Sequence, residues 1–253
     1  MNQDMMFTVK TQLSYDYGCE ISDFDNDKNI ALFSSLHPGR LRLGKEHPDA
    51  FKAVTFGHGT VINAAGKLKI FADNIVGEYP EDGYRIFSVP CINKIENTLS
   101  REGFALAQSL HLCPKKSARH LLLDFSSAGI EVRIYEQNEI RALLYPLQGF
   151  ENALSHKFGE RTDMIAVCAV YENRIIAVAG ASNDSDLMWQ VGIDVLPSYR
   201  RKGLGSTLVT ILTDEIRTMN IVPYYSLIPG NVASLKTALA CGYTPVYHEM
   251  YVM

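Results

Sequence analysis

The sequence predicts a mixed α/β fold in two parts, and three observations carry that prediction. Short apolar and β-branched runs alternate with longer stretches whose apolar residues recur at helical spacing. The alternation sharpens after residue 129, where strand-like runs follow one another with few residues between them. Between the two parts, Ser126-Ser-Ala-Gly129 has the composition of a joint. A chain of 253 residues is long enough for one large or two compact domains. The expected division is 1–128, a smaller N-terminal α/β domain of unassigned role, and 129–253.

The first part is read with fewer signals. Residues 1–35 are mixed and polar, with acidic residues at Asp23, Asp25 and Asp27. A turn-rich stretch follows around His37-Pro38-Gly39 and His47-Pro48. Ala53–Ile62 is strand-like, with Gly57 and Gly59 marking a bulge or bend. Residues 92–111 have helical spacing, and Leu121–Phe125 reads as a strand.

In the second part, Ile130–Tyr135 alternates as a strand and Glu136–Leu144 reads as a helix stopped before Pro146. Met164–Tyr171 and Ile175–Gly180 read as two strands joined by a tight turn at Glu172-Asn-Arg174. Leu187–Val195 is a further strand. Leu208, Ile211, Leu212 and Ile216 place a helix over 205–219. Tyr224–Ile228 is a strand. Asn231–Ala240 is a helix, with Asn231 as N-cap and Gly242 just past its end. Thr244–Val252 closes the chain as a strand.

Composition removes several function classes. Lys and Arg number 24 against 28 Asp and Glu, a net charge of -4, which lacks the basic excess of a dedicated nucleic-acid binder. The five cysteines are widely spaced, without Cys-x-x-Cys, so neither a disulfide framework nor a zinc site is expected. The seven histidines show neither His-x-His nor His-Glu-x-x-His spacing, and no metal is expected. No apolar run approaches membrane-spanning length and no secretory leader is visible, so a reducing cytoplasmic setting is the expectation.

The segment that carries chemistry is Val191-Gly-Ile-Asp-Val-Leu-Pro-Ser-Tyr-Arg-Arg-Lys-Gly-Leu-Gly-Ser206. A strand ends, Pro197 turns the chain, and Arg200-x-x-Gly203-x-Gly205 opens a helix. The first N–H groups of a helix lack intrahelical partners, and its dipole places partial positive charge there. Glycine lets backbone approach a diphosphate, while Arg200, Arg201 and Lys202 add full positive charge. No Gly-x-x-x-x-Gly-Lys-Ser/Thr is present, and the spacing differs from the three-glycine dinucleotide fingerprint.

This segment resembles the diphosphate motif of the GCN5-related N-acetyltransferase (GNAT) superfamily, Arg/Gln-x-x-Gly-x-Gly/Ala. Asn231-x-Ala233-Ser234-x-x-x-Ala238-x-x-x-Gly242-Tyr243 is similar to the family's second element. The resemblance covers residues 129–253 and implies an acyl-CoA N-acyltransferase fold with a splayed mixed sheet, acetyl-CoA as cofactor, and acetyl transfer to an amine. It implies that the backbone over Arg200, Arg201, Lys202, Gly203, Leu204, Gly205 and Ser206 holds the pyrophosphate. Ile193 and Val195 would pair with the pantetheine arm, and Asn231 and Ser234 would lie against the cofactor. Asn152 falls where the family places its acceptor loop.

The proton-transfer groups stay open. The position that often supplies a tyrosine acid in the family is Ala238 here, leaving Tyr243, Tyr225, Ser226 and Ser234 as candidates. Asp194 and Gln190 share one facing of their strand and Glu249 lies on the last strand, so Asp194 and Glu249 are candidate bases. Trp189 and Gln190 are candidate walls of the acceptor pocket. The expected partner is a small-molecule or peptide amine, with no nucleic acid and no membrane; a homodimer is compatible with the sequence. The alternative is a non-catalytic acyl-CoA-binding sensor. Residues 1–128 either shape the acceptor pocket or pack as a structural extension.

Overall fold

The computed structural model describes residues 3–41, 49–115, 125, 128–154 and 162–252. In chain order the elements are α1 (Gln3–Tyr17), β1 (Ile30–Phe33), β2 (Phe51–Thr55), β3 (Thr60–Ala64), α2 (Leu68–Glu78), α3 (Gly83–Ile86), α4 (Val89–Arg101), β4 (Leu106–Pro114) and β5 (Ile130–Glu136). They continue as α5 (Gln137–Glu139), a π-helical turn (Ile140–Leu144), β6 (Asp163–Tyr171), β7 (Arg174–Ser182), β8 (Met188–Val195), α6 (Leu204–Thr218), β9 (Val222–Leu227), α7 (Val232–Ala240) and β10 (Tyr243–Val252).

All ten strands form one mixed sheet in the order β1-β3-β2-β10-β4-β9-β8-β7-β6-β5. Strands on both sides of the expected joint near residue 128 therefore belong to a single sheet, with β4 lodged between β10 and β9. Only β1–β3 and β8–β9 pair in parallel. Two faces follow from the two-residue alternation of strands. On one face Leu204, Leu208, Val209, Leu212 and Ile216 of α6 pack on Val191, Tyr225 and Tyr243. Farther along that face, Leu68, Ala72 and Ile75 of α2 and Ile95 and Leu99 of α4 pack on Phe51, Ala53, Ile62 and Met250. On the opposite face, Met5, Val9, Leu13 and Tyr17 of α1 cover Val54, Val61, Met188, Tyr224 and Tyr247. The π-helical turn and residues 150–154 cover Ala166, Cys168 and Val178 beside it.

Most expected elements after residue 129 are present within a few residues of their expected ends. Three readings change. The expected helix over 92–111 stops at Arg101, because Gly103 takes a positive φ of 84° and the nine residues from Leu106 to Pro114 join the sheet as β4. The strand-like run at 53–62 is two strands with a turn at its glycines. The helix expected over 136–144 is one short α turn running into the π-helical turn. Helix α1 had no sequence expectation, since its i,i+4 stripe is interleaved with polar residues and with the exposed Phe7. The expected strand at 121–125 falls largely outside the described residues.

Residues 150–154 lie directly on the sheet, and a glycine pair makes this fit. Gly180 and Gly192 face each other across β7 and β8. A Cβ on Gly180 would stand 2.2 Å from the Ala153 carbonyl oxygen, and one on Gly192 would stand 2.1 Å from that of Asn152. Gly192→Ala should therefore displace this segment and cost about 1–3 kcal/mol, read as a lower denaturant midpoint. An unchanged midpoint would show that the segment is not seated on the strand.

Candidate functional site

The site grows from an incomplete strand pairing. β8 pairs with β9 only from Met188↔Val222 to Val191↔Tyr225. Beyond that point β8 continues to Val195 and β9 to Leu227 without pairing. The far edge of β8 stays paired to β7 through Val195. Backbone from Gly192 to Val195 is thus held in an extended form while its β9-facing groups are left open to a ligand strand.

A cleft of about 490 Å³ lies at this split on the α6 side, lined by Ile193, Asp194, Val195, Tyr225 and the N-terminal turns of α6 and α7. Gly203 caps α6 with φ 77°, a left-handed conformation natural to glycine. The Arg200 Nε–H donates to the Val195 carbonyl at 2.9 Å, tying the loop to the end of β8. Arg200, Arg201, Gly203, Leu204, Gly205 and Ser206 all line the cleft. Ser234 lines it from α7, while Asn231 stands outside the lining and caps that helix, its Oδ1 accepting from the Ser234 N–H at 3.1 Å. Lys202 is exposed and its Nζ lies 5.6 Å from the Tyr199 ring centroid, outside the cleft. Lys236 and Thr237 line the cleft without any sequence expectation. Thr237 stands at i+3 from Ser234 on α7, a helical spacing that was the available signal for it.

The opposite face carries a smaller cavity, of about 150 Å³. Its floor runs across five neighbouring strands: Lys52 on β2, Glu249 and Tyr251 on β10, Ser109 and His111 on β4, Tyr224 and Ser226 on β9, and Gln190 on β8. Asp16 at the end of α1, together with Arg40, Leu41, Asp49 and Asp184, completes the lining. Tyr225 lines the cleft while Tyr224 and Ser226 line the cavity, so β9 presents one chamber on each face beside the split.

Glu249 is the polar centre of the cavity. The Tyr17 hydroxyl donates to its Oε1 at 2.7 Å, and His111 Nε2 lies 3.2 Å from Oε2. Burial alone would raise its carboxyl, but the His111 and Tyr17 contacts and the charge of Lys52 outweigh burial and hold it below the usual range. His111 stacks on Tyr247 with 4.3 Å between ring centroids. The Tyr224 hydroxyl donates to Asp184 Oδ2 and lies 3.4 Å from Gln190 Oε1. Glu249 and Gln190, both named from sequence, are thus brought into one cavity.

Other expected site residues are engaged structurally, Asp194 among them although it also lines the cleft. Asp194 is an anchor: Oδ2 accepts from the backbone N–H of Asn152 at 2.7 Å and of Ala153 at 2.9 Å, and Oδ1 accepts from Asn152 Nδ2 at 2.7 Å. Asn152 is correspondingly engaged in fixing its own loop rather than lining the cavity. Tyr243 is buried beneath α6, where its hydroxyl meets Thr213 Oγ1 at 2.6 Å, away from both chambers. Trp189 packs against the α6 core. Tyr225 instead reaches the cleft, with burial pushing its hydroxyl up to about 12 and Ser234 opposing that rise. Cys241 donates to the Ser206 carbonyl at 3.3 Å, and burial pushes its thiol up to about 12, which makes it a structural thiol. Among the described residues, no group of three or more His, Cys, Asp or Glu side chains is arranged to hold a metal ion. No helix among them is long and apolar enough to cross a membrane.

Asp16 carries a cost. Burial lifts its carboxyl to about 6, with Lys52 and the Leu41 N–H pulling the other way. An acid raised on folding holds its proton more tightly in the folded state, so stability falls as pH rises from about 4 to about 6 and stays lower above. Asp16→Asn should therefore raise thermal stability at pH 7, by about 2 kcal/mol, with little gain at pH 4. A lower melting temperature at pH 7 would show that the charge is compensated.

Residues 133–243 match the model of the Acetyltransferase (GNAT) family, and this part of the chain is a GNAT acetyltransferase domain. Among solved structures, the chain is similar to a GCN5-related N-acetyltransferase-like protein from Streptococcus suis 89/1591, with 12% identity, 66% of this chain and 69% of that one covered, and a TM-score of 0.46. It is also similar to a GNAT-family acetyltransferase from Colwellia psychrerythraea, with 13% identity, coverage of 69% and 75%, and a TM-score of 0.42. A GNAT-family structure from Novosphingobium aromaticivorans DSM 12444 shares 15% identity at a TM-score of 0.40, and 58% of this chain spans 64% of that one. No curated protein matches the sequence.

Proposed function

We propose that the chain moves an acetyl group from acetyl-CoA to a primary amine of a small molecule by direct transfer. The observation that carries this reading is the parted β8–β9 pair, with the α6 cleft on one face and the polar cavity on the other. Acyl-CoA chemistry follows from the GNAT domain; the acetyl group, the amine and the roles below are our reading.

The helix start at Gly203–Ser206, with Arg200 and Arg201, fits a diphosphate: it offers backbone N–H groups, positive charge and a glycine-lined surface. Lys236 adds a cation on the far wall. The open backbone of Ile193 and Val195 fits a pantetheine arm, which would bring the thioester to the split. Coenzyme A, when bound, supplies an activated acyl group and a thiolate leaving group.

An amine in the cavity reaches the carbonyl from the Gln190, Tyr224 and Ser226 side. Its nitrogen lone pair forms the new C–N bond, and the C–S bond breaks. The proton lost by nitrogen passes to the His111–Glu249 pair. Tyr225, protonated and lining the cleft, supports a role as proton donor to the departing sulfur, in place of the usual helix tyrosine replaced by Ala238. A backbone N–H near Val195 is the candidate oxyanion donor. The roofed cavity favours a small acceptor over a peptide.

Ser206→Glu tests the cradle. A carboxylate in the first turn suits the helix dipole but repels a diphosphate, so stability should hold while acetyl-CoA affinity falls about tenfold or more by calorimetry. Equal affinity would remove the cradle. Glu249→Gln should lower kcat by about a hundredfold with acetyl-CoA affinity unchanged, measured by thiol release over an amine panel. Acetyl-CoA binding without CoA release on any amine would favour the sensor instead.

A further inference from the structure

We infer that the acceptor carries a zwitterionic head, an ammonium beside a carboxylate, set apart from the amine that is acetylated, and that Asp16 and Arg40 hold this head. The inference rests on the proposal that the cavity is the acceptor site.

The cavity is built for more than an amine. Asp16 is 6% exposed, and its Oδ2 has no hydrogen-bond partner, although Oδ1 accepts from the Leu41 N–H at 2.8 Å and from Gln12 at 3.2 Å. Arg40 donates from Nη2 to Asp49 at 2.9 Å, while its buried Nη1 has no partner. One carboxylate oxygen of Asp16 and one guanidinium nitrogen of Arg40 are thus left without a partner, on two residues that line one cavity. Unsatisfied buried polar atoms are rare because each costs about 1–3 kcal/mol. A ligand offering one cation and one anion there would satisfy both.

A simple monoamine would leave Arg40 Nη1 unmatched.

The order of strands separates the two ends. Lys52 on β2 and the neighbouring Arg40 stand at the head end, Glu249 and His111 in the middle, and Ser226 and Gln190 at the split. β2 to β9 spans three strand spacings, about 14 Å, which the Arg40 and Lys52 side chains shorten. That leaves a few methylene groups between head and reacting amine. The class is a free α-amino acid with an amine at the end of its side chain.

The test uses the full chain with acetyl-CoA and three amines sharing one reactive end: ornithine, putrescine without the carboxylate, and δ-aminovalerate without the α-ammonium. Ornithine should show the highest kcat/KM. Arg40→Gln should lower it by about ten- to a hundredfold for ornithine and leave putrescine nearly unchanged. Asp16→Asn should penalise ornithine and spare δ-aminovalerate. Melting temperature and acetyl-CoA affinity, measured on each variant, separate a lost contact from a misfolded chain. If putrescine matches ornithine, or if each variant lowers all three amines equally while acetyl-CoA still binds, the head site is overturned and the acyltransferase reading stands. If acetyl-CoA binds nowhere, or no amine releases CoA, both fall together.

Discussion

Everything in the site depends on the parting of β8 from β9 after Val191 and Tyr225. A sheet is normally closed by its ladder, because unpaired backbone groups are costly when buried. Here two continuous strands separate at their C-terminal ends. β8 does not collapse because its other edge remains fully paired to β7 and its Val195 carbonyl accepts from Arg200. β9 is held on its far side by β4 through Leu227. The gap is thus bordered by two anchored strands, and an extended ligand can enter it without ordering the protein first.

Loop fixation follows from the same geometry. Asp194 lies on the stretch of β8 that has parted from β9, and its carboxylate spends its hydrogen bonds on Asn152 and Ala153. The Gly180–Gly192 pair lets those residues rest on the strands. A side chain that sequence reading takes for a base thus also serves as a strut, and the titratable groups Glu249 and His111 meet in the cavity from β10 and β4. This also changes what the first 128 residues do. Asp16, Arg40, Asp49, Lys52, Ser109 and His111 all come from that part and line the cavity. Lys52, Ser109 and His111 shape it through the sheet itself, because β2 and β4 both pair with β10.

The second half of the chain was legible for a physical reason. Its elements have clean periodicities, and the motif between Val191 and Ser206 joins a strand end to a helix start, a local feature that adjacent residues specify. The lining of the cleft beside α6 was accordingly readable almost residue by residue. The cavity on the α1 face was not. It is assembled from five strands whose neighbours in space are distant in sequence, such as Glu249 beside Ser109 and Val54. β4 was hidden because its apolar residues continue the spacing of α4, and only the sheet selects an extended form for them. Glu249 and Gln190 were reachable by strand parity, but Tyr243 was not: the register shift between Pro245 and Tyr247 changes which face the earlier residues present, and Tyr243 joins the α6 core.

The energetics of the two faces differ in kind. On the α6 face, Leu208, Val209, Leu212 and Ile216 are fully buried, and four such side chains contribute on the order of 10 kcal/mol. The glycine-led start of α6 is therefore held by a core that needs no ligand. On the α1 face, the cavity buries carboxylates whose charges are only partly matched, and Asp16 keeps an oxygen with no partner. Such a group weakens the unliganded fold and gains most from a cation that binds to it. The molecule thus divides one sheet between two kinds of surface: an apolar face secures α6 and the cleft at its start, and a polar face leaves unsatisfied buried atoms that a charged ligand would complete.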